Sequence, residues 1–243
     1  MERIKVLMTG AAGRVGGILR SHWGDRYALR LADLNPVEAT KEHEEFFRLD
    51  ITELESFVEA CQGIDTVVHL AADPSPSADF YETLLSLNVI GAYNGFEAAR
   101  IAGCRRIVFA SSVNAVLGYN ETKVHCTPEM PVYPINVYGA TKCWGEALGK
   151  VYSHQHGLSC ISVRLTSPSF RQDEDWDPEE WQWRISEKDA ALLFKSCIDA
   201  DDSVMCSIVH GASKHQRCWL DIDSTCSTIG YEPEEGTFYP RQS

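Results

Sequence analysis

The sequence feature that most constrains the fold is a short apolar run that leads directly into a glycine-rich turn. Lys5–Thr9 has the composition of a buried strand, and Gly10, Gly13 and Gly16 follow it with the spacing GxxGxxG. A helix-length segment over Val15–Trp23 comes next. The motif therefore occupies a strand-to-helix turn at the start of the chain, which is the context that makes it informative.

Strand-length apolar runs alternate with helix-length segments along the rest of the chain. Unbroken apolar strands between helices indicate a parallel sheet covered on both faces. We therefore predict an α/β fold with a Rossmann-type, doubly wound parallel sheet. The predicted strands are Lys5–Thr9, Ala28–Leu31, Phe46–Leu49, Thr66–Leu70, Arg106–Ala110, Ser159–Arg164 and Met205–Val209. The predicted helices are Val15–Trp23, Leu54–Cys61, Phe80–Ala102, Val137–His154 and Glu187–Ile198.

The length and composition favour a single domain over residues 1–243. The chain has 243 residues, of which 44% are hydrophobic, and this is enough for one sizeable core. We expect residues 1–165 to form the core with the catalytic residues, and residues 166–243 to form a small substrate-side elaboration. Arg171–Arg184, which is rich in acids and tryptophan, is expected to be a surface loop or a flap over the substrate.

Charge and cysteine content limit the partners and the compartment. The formal net charge is −13 and no run of basic residues occurs, so we expect no nucleic-acid partner. The nine cysteines form no CxxC pair and have no zinc spacing, so we expect no metal and a reducing, cytoplasmic location. The first residues have the pattern of neither a signal peptide nor a membrane span.

The glycine turn suits a dinucleotide. Gly10 permits the tight turn, Gly13 leaves room for a pyrophosphate, and Gly16 lets the helix pack closely on the strand. Asp33 ends the second strand, where a carboxylate accepts hydrogen bonds from ribose hydroxyls and repels a 2′-phosphate. Leu34 follows it and supplies no cation. The sequence therefore predicts NAD rather than NADP as cofactor.

The end of the fourth strand also belongs to this predicted site, because ligands in such sheets bind outside the carboxyl ends of the strands. The small residues Ala71 and Ala72 would let the cofactor lie against the backbone. His69, just before them, is expected to be a core histidine.

A tyrosine, a lysine and a serine predict the chemistry. Tyr138 and Lys142 form a YxxxK pair near the start of a helix, and i, i+4 spacing places them on one face. We expect the ammonium to lower the pKa of the phenol, so that Tyr138 acts as general base on a substrate hydroxyl while hydride leaves for the cofactor. Ser112, after the fifth strand, would hold the same oxygen in line.

Together these residues resemble the extended short-chain dehydrogenase/reductases, the NAD-dependent epimerase/dehydratase superfamily. Within it the chain is most similar to uronate dehydrogenase-like members. The resemblance covers nearly the whole chain. It is carried by Thr9–Gly16, Leu31–Leu34, Val68–Ala72, Asn88–Arg100, Arg106–Ser112 and Tyr138–Leu148, and more weakly by His210–Ser213 and Ile229–Tyr231.

The resemblance implies further site residues. Besides the glycines, it implies that NAD is lined by Arg14, Val15, Asp33, Leu34, Asp50, Ile51, Leu70, Ala71 and Ala72, with Asn88 under the nicotinamide and Lys142 near its ribose. On the substrate side it implies Ser75 or Ser77, Ser112, Val113, Asn114, Thr166 and Ser167.

Two departures from the family bear on the substrate. Where the family has Asn-His after the serine pair, this chain has Val113-Asn114 followed by one extra residue. The family's carboxylate-binding arginine is absent at the aligned position, and Arg171 and Arg184 are nearby candidates. A neutral aldose is therefore as plausible a substrate as a uronate.

Three functions remain open at this point. The first is a dehydrogenase that oxidises the anomeric carbon of a uronate or aldose to a lactone. The second is a sugar epimerase or dehydratase, which the short chain after Lys142 disfavours. The third is a non-catalytic NAD-binding regulator, which the retained Tyr138 and Lys142 disfavour. The resemblance also implies a homodimer formed by the helices over Phe80–Ala102 and Val137–His154.

Overall fold

The computed structural model describes residues 3–38, 41–122, 124–169, 184–215 and 218–235. Seven strands form one parallel sheet in the order β3-β2-β1-β4-β5-β6-β9. The strand order reverses beside β1, which leaves a crevice at the carboxyl ends of β1 and β4. The predicted fold class is therefore confirmed. The strands of this sheet are β1 Lys5–Thr9, β2 Ala28–Asp33, β3 Glu44–Arg48, β4 Thr66–His69, β5 Arg106–Ser112, β6 Ser159–Leu165 and β9 Cys206–Gly211.

All seven predicted strands lie in this sheet, and no predicted end differs from the observed one by more than two residues, as is usual for strand boundaries. Because β9 pairs in parallel with β6, the central sheet continues beyond residue 165, where the sequence analysis divided core from elaboration. A separate pair, β7 Pro168–Ser169 and β8 Ile185–Ser186, was not predicted.

The described helices also follow the predicted pattern, with one change of type. The expected helix over Phe80–Ala102 consists of a π-helical segment, Phe80–Ile90, that continues into α3. Two short helices were not predicted, one over Gly118–Thr122 and one over Ile222–Ile229. The helices are α1 Arg14–Trp23, α2 Leu54–Cys61, α3 Gly91–Ile101, α4 Gly118–Thr122, α5 Val137–His156, α6 Glu187–Asp199 and α7 Ile222–Ile229. Within the described ranges, none is both long and apolar enough for a membrane span.

The sheet separates two apolar cores, because successive side chains of a strand point to opposite faces. Val6 and Met8 of β1 face the core that α1, α6 and α7 cover. Leu7 faces the other core, which α2, α3 and α5 cover. The helices on both faces leave the carboxyl edge of the sheet as the place where a ligand can reach the strands.

A buried ion pair fixes α5 on the sheet. Glu146 of α5 accepts two hydrogen bonds from Arg164 of β6, at 2.9 Å each, and both side chains are almost fully buried. Ser111 at the end of β5 donates to the same carboxylate at 2.7 Å. The carboxylate of Glu146 therefore joins α5, β5 and β6, the three elements that carry or flank the site.

Glu146→Gln is expected to destabilise the fold by about 3–5 kcal/mol, because it leaves the guanidinium of Arg164 buried without its counter-charge. The free energy of unfolding, measured by urea denaturation, checks this. Asp25→Asn is the matched control, since Asp25 pairs with Arg3 on the exposed surface and its loss should barely change stability. A loss below about 1 kcal/mol for Glu146→Gln would contradict the role given to the pair.

Candidate active site

The glycine-rich turn packs closely against the end of β4. Gly10 has a φ of +69°, and a Cβ there would lie 2.9 Å from the backbone nitrogen of Ala71. A Cβ at Gly16 would lie 2.6 Å from the carbonyl oxygen of Gly10. Both positions therefore require glycine, as the motif predicts, and the turn leaves its backbone open towards the crevice.

A cavity of about 370 Å³ opens beside this turn. Eleven of the predicted cofactor residues line it: Gly10, Gly13, Arg14, Val15, Gly16, Asp33, Leu34, Ile51, Leu70, Ala71 and Ala72. The sequence analysis missed five others, Ala32, Asn35, Leu49, Pro74 and Leu87. These neighbours of predicted residues carry no motif signal, so only their position in the fold reveals them.

Two backbone amides hold the carboxylate of Asp33 in place at the cavity. Its two carboxylate oxygens accept hydrogen bonds from the amide of Ala12, at 3.0 Å, and from the amide of Asn35, at 2.9 Å. Each carboxylate oxygen can accept a second hydrogen bond, so the group can still receive ribose hydroxyls. The arrangement fits the diol of an adenosine ribose and disfavours a phosphate in its place.

Three residues expected at the cofactor lie outside the lining of this cavity. Asp50 instead accepts hydrogen bonds from the amide and hydroxyl of Thr52, at 2.9 and 2.7 Å. The side chain of Asn88 is buried and its hydrogen bonds go to neighbouring protein groups. Lys142 is also buried, and its Nζ lies 5.6 Å from the ring centroid of Tyr138. Asp50 and Asn88 thus support the loops around the cavity in this structure.

His69 is a core histidine, as expected. Burial lowers its pKa to about 3, so the ring stays neutral, and Nδ1 lies 2.7 Å from the hydroxyl oxygen of Thr9. The same hydroxyl accepts a hydrogen bond from the amide of Ala71 at 3.2 Å. His69 therefore contributes indirectly, by joining the ends of β1 and β4 under the cavity.

The end of β5 is tied to the start of α5 by two asparagines. Ser112 Oγ accepts hydrogen bonds from the backbone and side-chain amides of Asn114, at 3.2 and 3.1 Å. Asn114 Oδ1 accepts from Asn136 Nδ2 at 2.8 Å, and Asn136 caps α5 through the amide of Gly139 at 2.7 Å. Sequence reasoning missed Asn136, although asparagine two residues before Tyr138 is a helix-start signal.

Lys142 is buried close to the ring of Tyr138. Its Nζ donates to the carbonyl of Ala110 at 2.9 Å and lies 5.6 Å from the ring centroid of Tyr138. The same nitrogen lies 5.3 Å from the ring centroid of Phe109. Burial lowers the pKa of Lys142 to about 8, which places its titration in the mildly alkaline range.

The prediction that the Tyr138 phenol has a lowered pKa is wrong. We expected the ammonium of Lys142 to lower the pKa of this phenol, whereas burial raises that pKa above its ordinary value in the structure. A hydrogen bond with Ser112 opposes the rise in pKa, and the nearby charge of Asp73 adds to it. The spacing of Tyr138 and Lys142 did not reveal this, because burial removes the phenolate from water and outweighs the rest.

The predicted substrate residues separate into two groups. Asn114 and the Ser75–Ser77 pair lie on the loops after β5 and β4, and the two serine hydroxyls are 3.1 Å apart. Ser167 is exposed. The other group is satisfied internally: Val113 packs into the core, and Thr166 donates to the carbonyl of Gly211 at 2.6 Å. Arg171 lies outside the described residues.

The arrangement can perform proton transfer beside a dinucleotide. Tyr138 and Ser112 present hydroxyls at the carboxyl end of β5, and Lys142 supplies a titratable charge beneath them. Bound NAD⁺ would supply the hydride acceptor, and the glycine turn with Asp33 fits its pyrophosphate and ribose. The described residues contain no cluster of three or more side chains suited to a metal ion.

The comparison with family models matches residues 6–172 to the NAD-dependent epimerase/dehydratase family. The chain is 33% identical to an NAD-dependent glucose-6-phosphate dehydrogenase of Haloferax volcanii, over 96% of this chain and 94% of that protein. It is 31% identical to a uronate dehydrogenase of Pseudomonas putida, over 96% and 85%.

A solved structure gives the same picture of the fold. The crystal structure of a tyrosine-to-alanine variant of uronate dehydrogenase from Agrobacterium tumefaciens, complexed with NAD, superposes with a TM-score of 0.85. The two chains are 28% identical, and the match covers 99% of this chain and 92% of that one.

Asp33→Ala is expected to weaken NAD binding by about 10- to 100-fold, the range for losing charge-assisted hydrogen bonds. NADP binding should improve, because the variant no longer repels a 2′-phosphate. Fluorescence titration with both dinucleotides measures the two Kd values. Asp25→Ala is the matched control, since Asp25 pairs with Arg3 on the exposed surface and does not line the cavity. An unchanged ratio of the two Kd values for Asp33→Ala would remove Asp33 from the ribose site.

Proposed function

This chain belongs to the NAD-dependent epimerase/dehydratase family, and we propose that it is an NAD-dependent dehydrogenase that oxidises the anomeric carbon of a sugar to a lactone. The observation that carries the proposal is the assembly of Tyr138, Lys142 and Ser112 at the carboxyl end of β5, beside the crevice with Asp33 and the glycine turn. The two relatives that match nearly the whole chain are named as dehydrogenases of sugar derivatives, and the name of the glucose-6-phosphate dehydrogenase also gives NAD as its cofactor.

In this mechanism the protein holds the sugar and moves one proton. Ser112 hydrogen-bonds the hydroxyl on the anomeric carbon, and Tyr138 takes its proton through the phenolate form. Because burial raises the pKa of Tyr138, the phenolate fraction is small at neutral pH and increases as the pH rises. Lys142, with a pKa of about 8, holds the helix turn by its bond to Ala110 and lends positive charge while it is protonated.

Release of the oxidised sugar and of the reduced cofactor distinguishes this function from that of an epimerase. The complete oxidation would release both lactone and reduced cofactor, whereas an epimerase regenerates its cofactor within each cycle. A panel of neutral and acidic sugars mixed with the protein and NAD⁺ tests this by NADH absorbance. Steady NADH formation supports the dehydrogenase; tightly held NAD without net NADH would favour an epimerase, and NAD binding without any turnover a regulator.

Tyr138→Phe is expected to reduce kcat by about 10²- to 10⁴-fold, because general-base catalysis is lost. The Kd for NAD should stay nearly unchanged, since the tyrosine does not line the dinucleotide cavity. Initial rates and a cofactor titration measure the two effects. Tyr81→Phe is the control, because Tyr81 is 83% exposed. Activity above a few per cent in Tyr138→Phe would show that another group is the base.

We also propose a homodimer that pairs α3 and α5 with their symmetry mates. Exposed apolar side chains cluster on this face, including Ile90, Tyr93 and Trp144 at 41–43% exposure. Trp144 Nε1 donates to the carbonyl of Val89 at 3.1 Å, so the two helical segments form one continuous surface. Such a cluster of large apolar side chains is typical of a protein interface.

The dimer predicts that sedimentation at micromolar concentration gives twice the chain mass of 27.1 kDa. Trp144→Glu should shift the protein towards the monomer, because it places a charge in the apolar surface. Val132→Glu serves as control, since Val132 is exposed to a similar degree outside both helices. A 27.1 kDa species in the unmodified protein would refute the dimer.

We further propose that the protein works in the cytoplasm. Its nine cysteines are all free, and five of them are buried. Unpaired thiols in this number fit a reducing compartment, where disulfides do not persist.

A further inference from the structure

Asp73 is a carboxylate beside the cavity that the proposed reaction does not yet use. It stands on the loop after β4, between Ala72 and Pro74, which both line the cavity. The residue is partly exposed, so solvent and ligands can reach it. Its position is therefore at the rim of the crevice, on the loop that continues towards the predicted substrate residues Ser75 and Ser77.

The backbone of Asp73 is fastened to the helix turn that carries the base. Asn88 accepts a hydrogen bond from the amide of Asp73 at 2.8 Å and donates to its carbonyl at 3.0 Å. The same Asn88 amide donates to the hydroxyl of Thr141 at 3.2 Å, and this hydroxyl donates to the carbonyl of Tyr138 at 2.7 Å. Asn88 is buried, so the link is shielded from water.

The carboxylate itself has a fixed orientation and unused acceptor capacity. One oxygen accepts from the amide of Ser75 at 2.9 Å, and the other accepts from the hydroxyl of Thr83 at 2.7 Å. Each oxygen of a carboxylate can accept two hydrogen bonds. The side chain can therefore receive additional donors from a ligand without giving up its own supports.

The carboxylate is close enough to Tyr138 for their charges to interact. Burial is the main cause that raises the pKa of Tyr138, and the negative charge of Asp73 raises that pKa further. The hydrogen bonds through Asn88 and Thr141 independently place the loop of Asp73 beside the helix turn of Tyr138. A sugar whose reacting hydroxyl lay at Tyr138 would have its neighbouring hydroxyls on the side of this loop.

We propose that Asp73 is a substrate-binding residue that accepts a hydrogen bond from the sugar hydroxyl next to the reacting one. This inference rests on the proposed sugar dehydrogenase function and specifies its substrate. Hydroxyl-to-carboxylate bonds are strong, and a carboxylate rejects an anionic group at the same position. The site thus selects sugars with an intact, uncharged hydroxyl on carbon 2.

The test compares the best neutral aldose from the sugar panel with its 2-deoxy counterpart. Asp73→Asn keeps the shape of the side chain but removes its charge. It should lower the ratio of kcat/KM for the aldose to kcat/KM for the 2-deoxy sugar by about 10- to 100-fold, mainly through KM for the aldose. The ratio is compared because a changed pKa of Tyr138 affects both sugars equally. Asp79→Asn is the matched control: it removes the same charge from the same loop, and asparagine still caps the segment that Asp79 begins.

A pH profile gives a second readout that a merely structural role would not move. Removing the Asp73 charge should shift the alkaline rise of kcat to lower pH, because that charge raises the pKa of Tyr138. Equal losses of kcat/KM on the two sugars, or an unshifted profile, would overturn the role of Asp73 while leaving the dehydrogenase intact. If the unmodified protein formed NADH with none of the sugars in the panel, the proposed function would be overturned, and this inference with it.

Discussion

Helix α5 lies on the sheet along a stripe of polar side chains spaced four residues apart, Tyr138, Lys142 and Glu146. Glu146 is bound to Arg164 of β6, and Lys142 is bound to a carbonyl of β5. Buried charges are costly unless they are paired or hydrogen-bonded. These contacts therefore fix both the rotation of α5 about its axis and its position along the strands. The position of the phenol at the crevice follows from that docking, because Tyr138 is the one of the three residues that lies nearest the carboxyl ends of the strands.

The cofactor side of the crevice depends on a different constraint, the close approach of backbone to backbone. Gly10 lies against Ala71, and the hydroxyl of Thr9 joins the ring of His69 to the same loop. These contacts bring the ends of β1 and β4 together where the strand order reverses. The base of the crevice is therefore formed largely by backbone and small side chains, which suits a flat and extended ligand. The two halves of the site are thus positioned by packing on one side and by buried charge on the other.

The sequence allowed the sheet and most of the cofactor residues to be predicted, because both have local signals. Apolar runs gave the strands. Of the eleven predicted residues that line the cavity, the glycine spacing with Asp33 gave four and the end of the fourth strand gave two, and the family resemblance implied the other five. Asp73 and Thr141 could not be found in this way, since their roles come from contacts between distant segments. The pKa of Tyr138 was predicted in the wrong direction, because helical spacing shows which groups are neighbours but does not show how much water surrounds them.

The support of Ser112 has a consequence for the conditions under which the enzyme can work. It runs through the amide side chains of Asn114 and Asn136, and neither residue gains or loses a proton. Neutral amide bonds are also little affected by dissolved salt, unlike exposed ion pairs. The alignment of the hydroxyl with the phenol should therefore persist through alkaline solutions and high ionic strength, so that only the ionisation of the reacting groups responds to the medium.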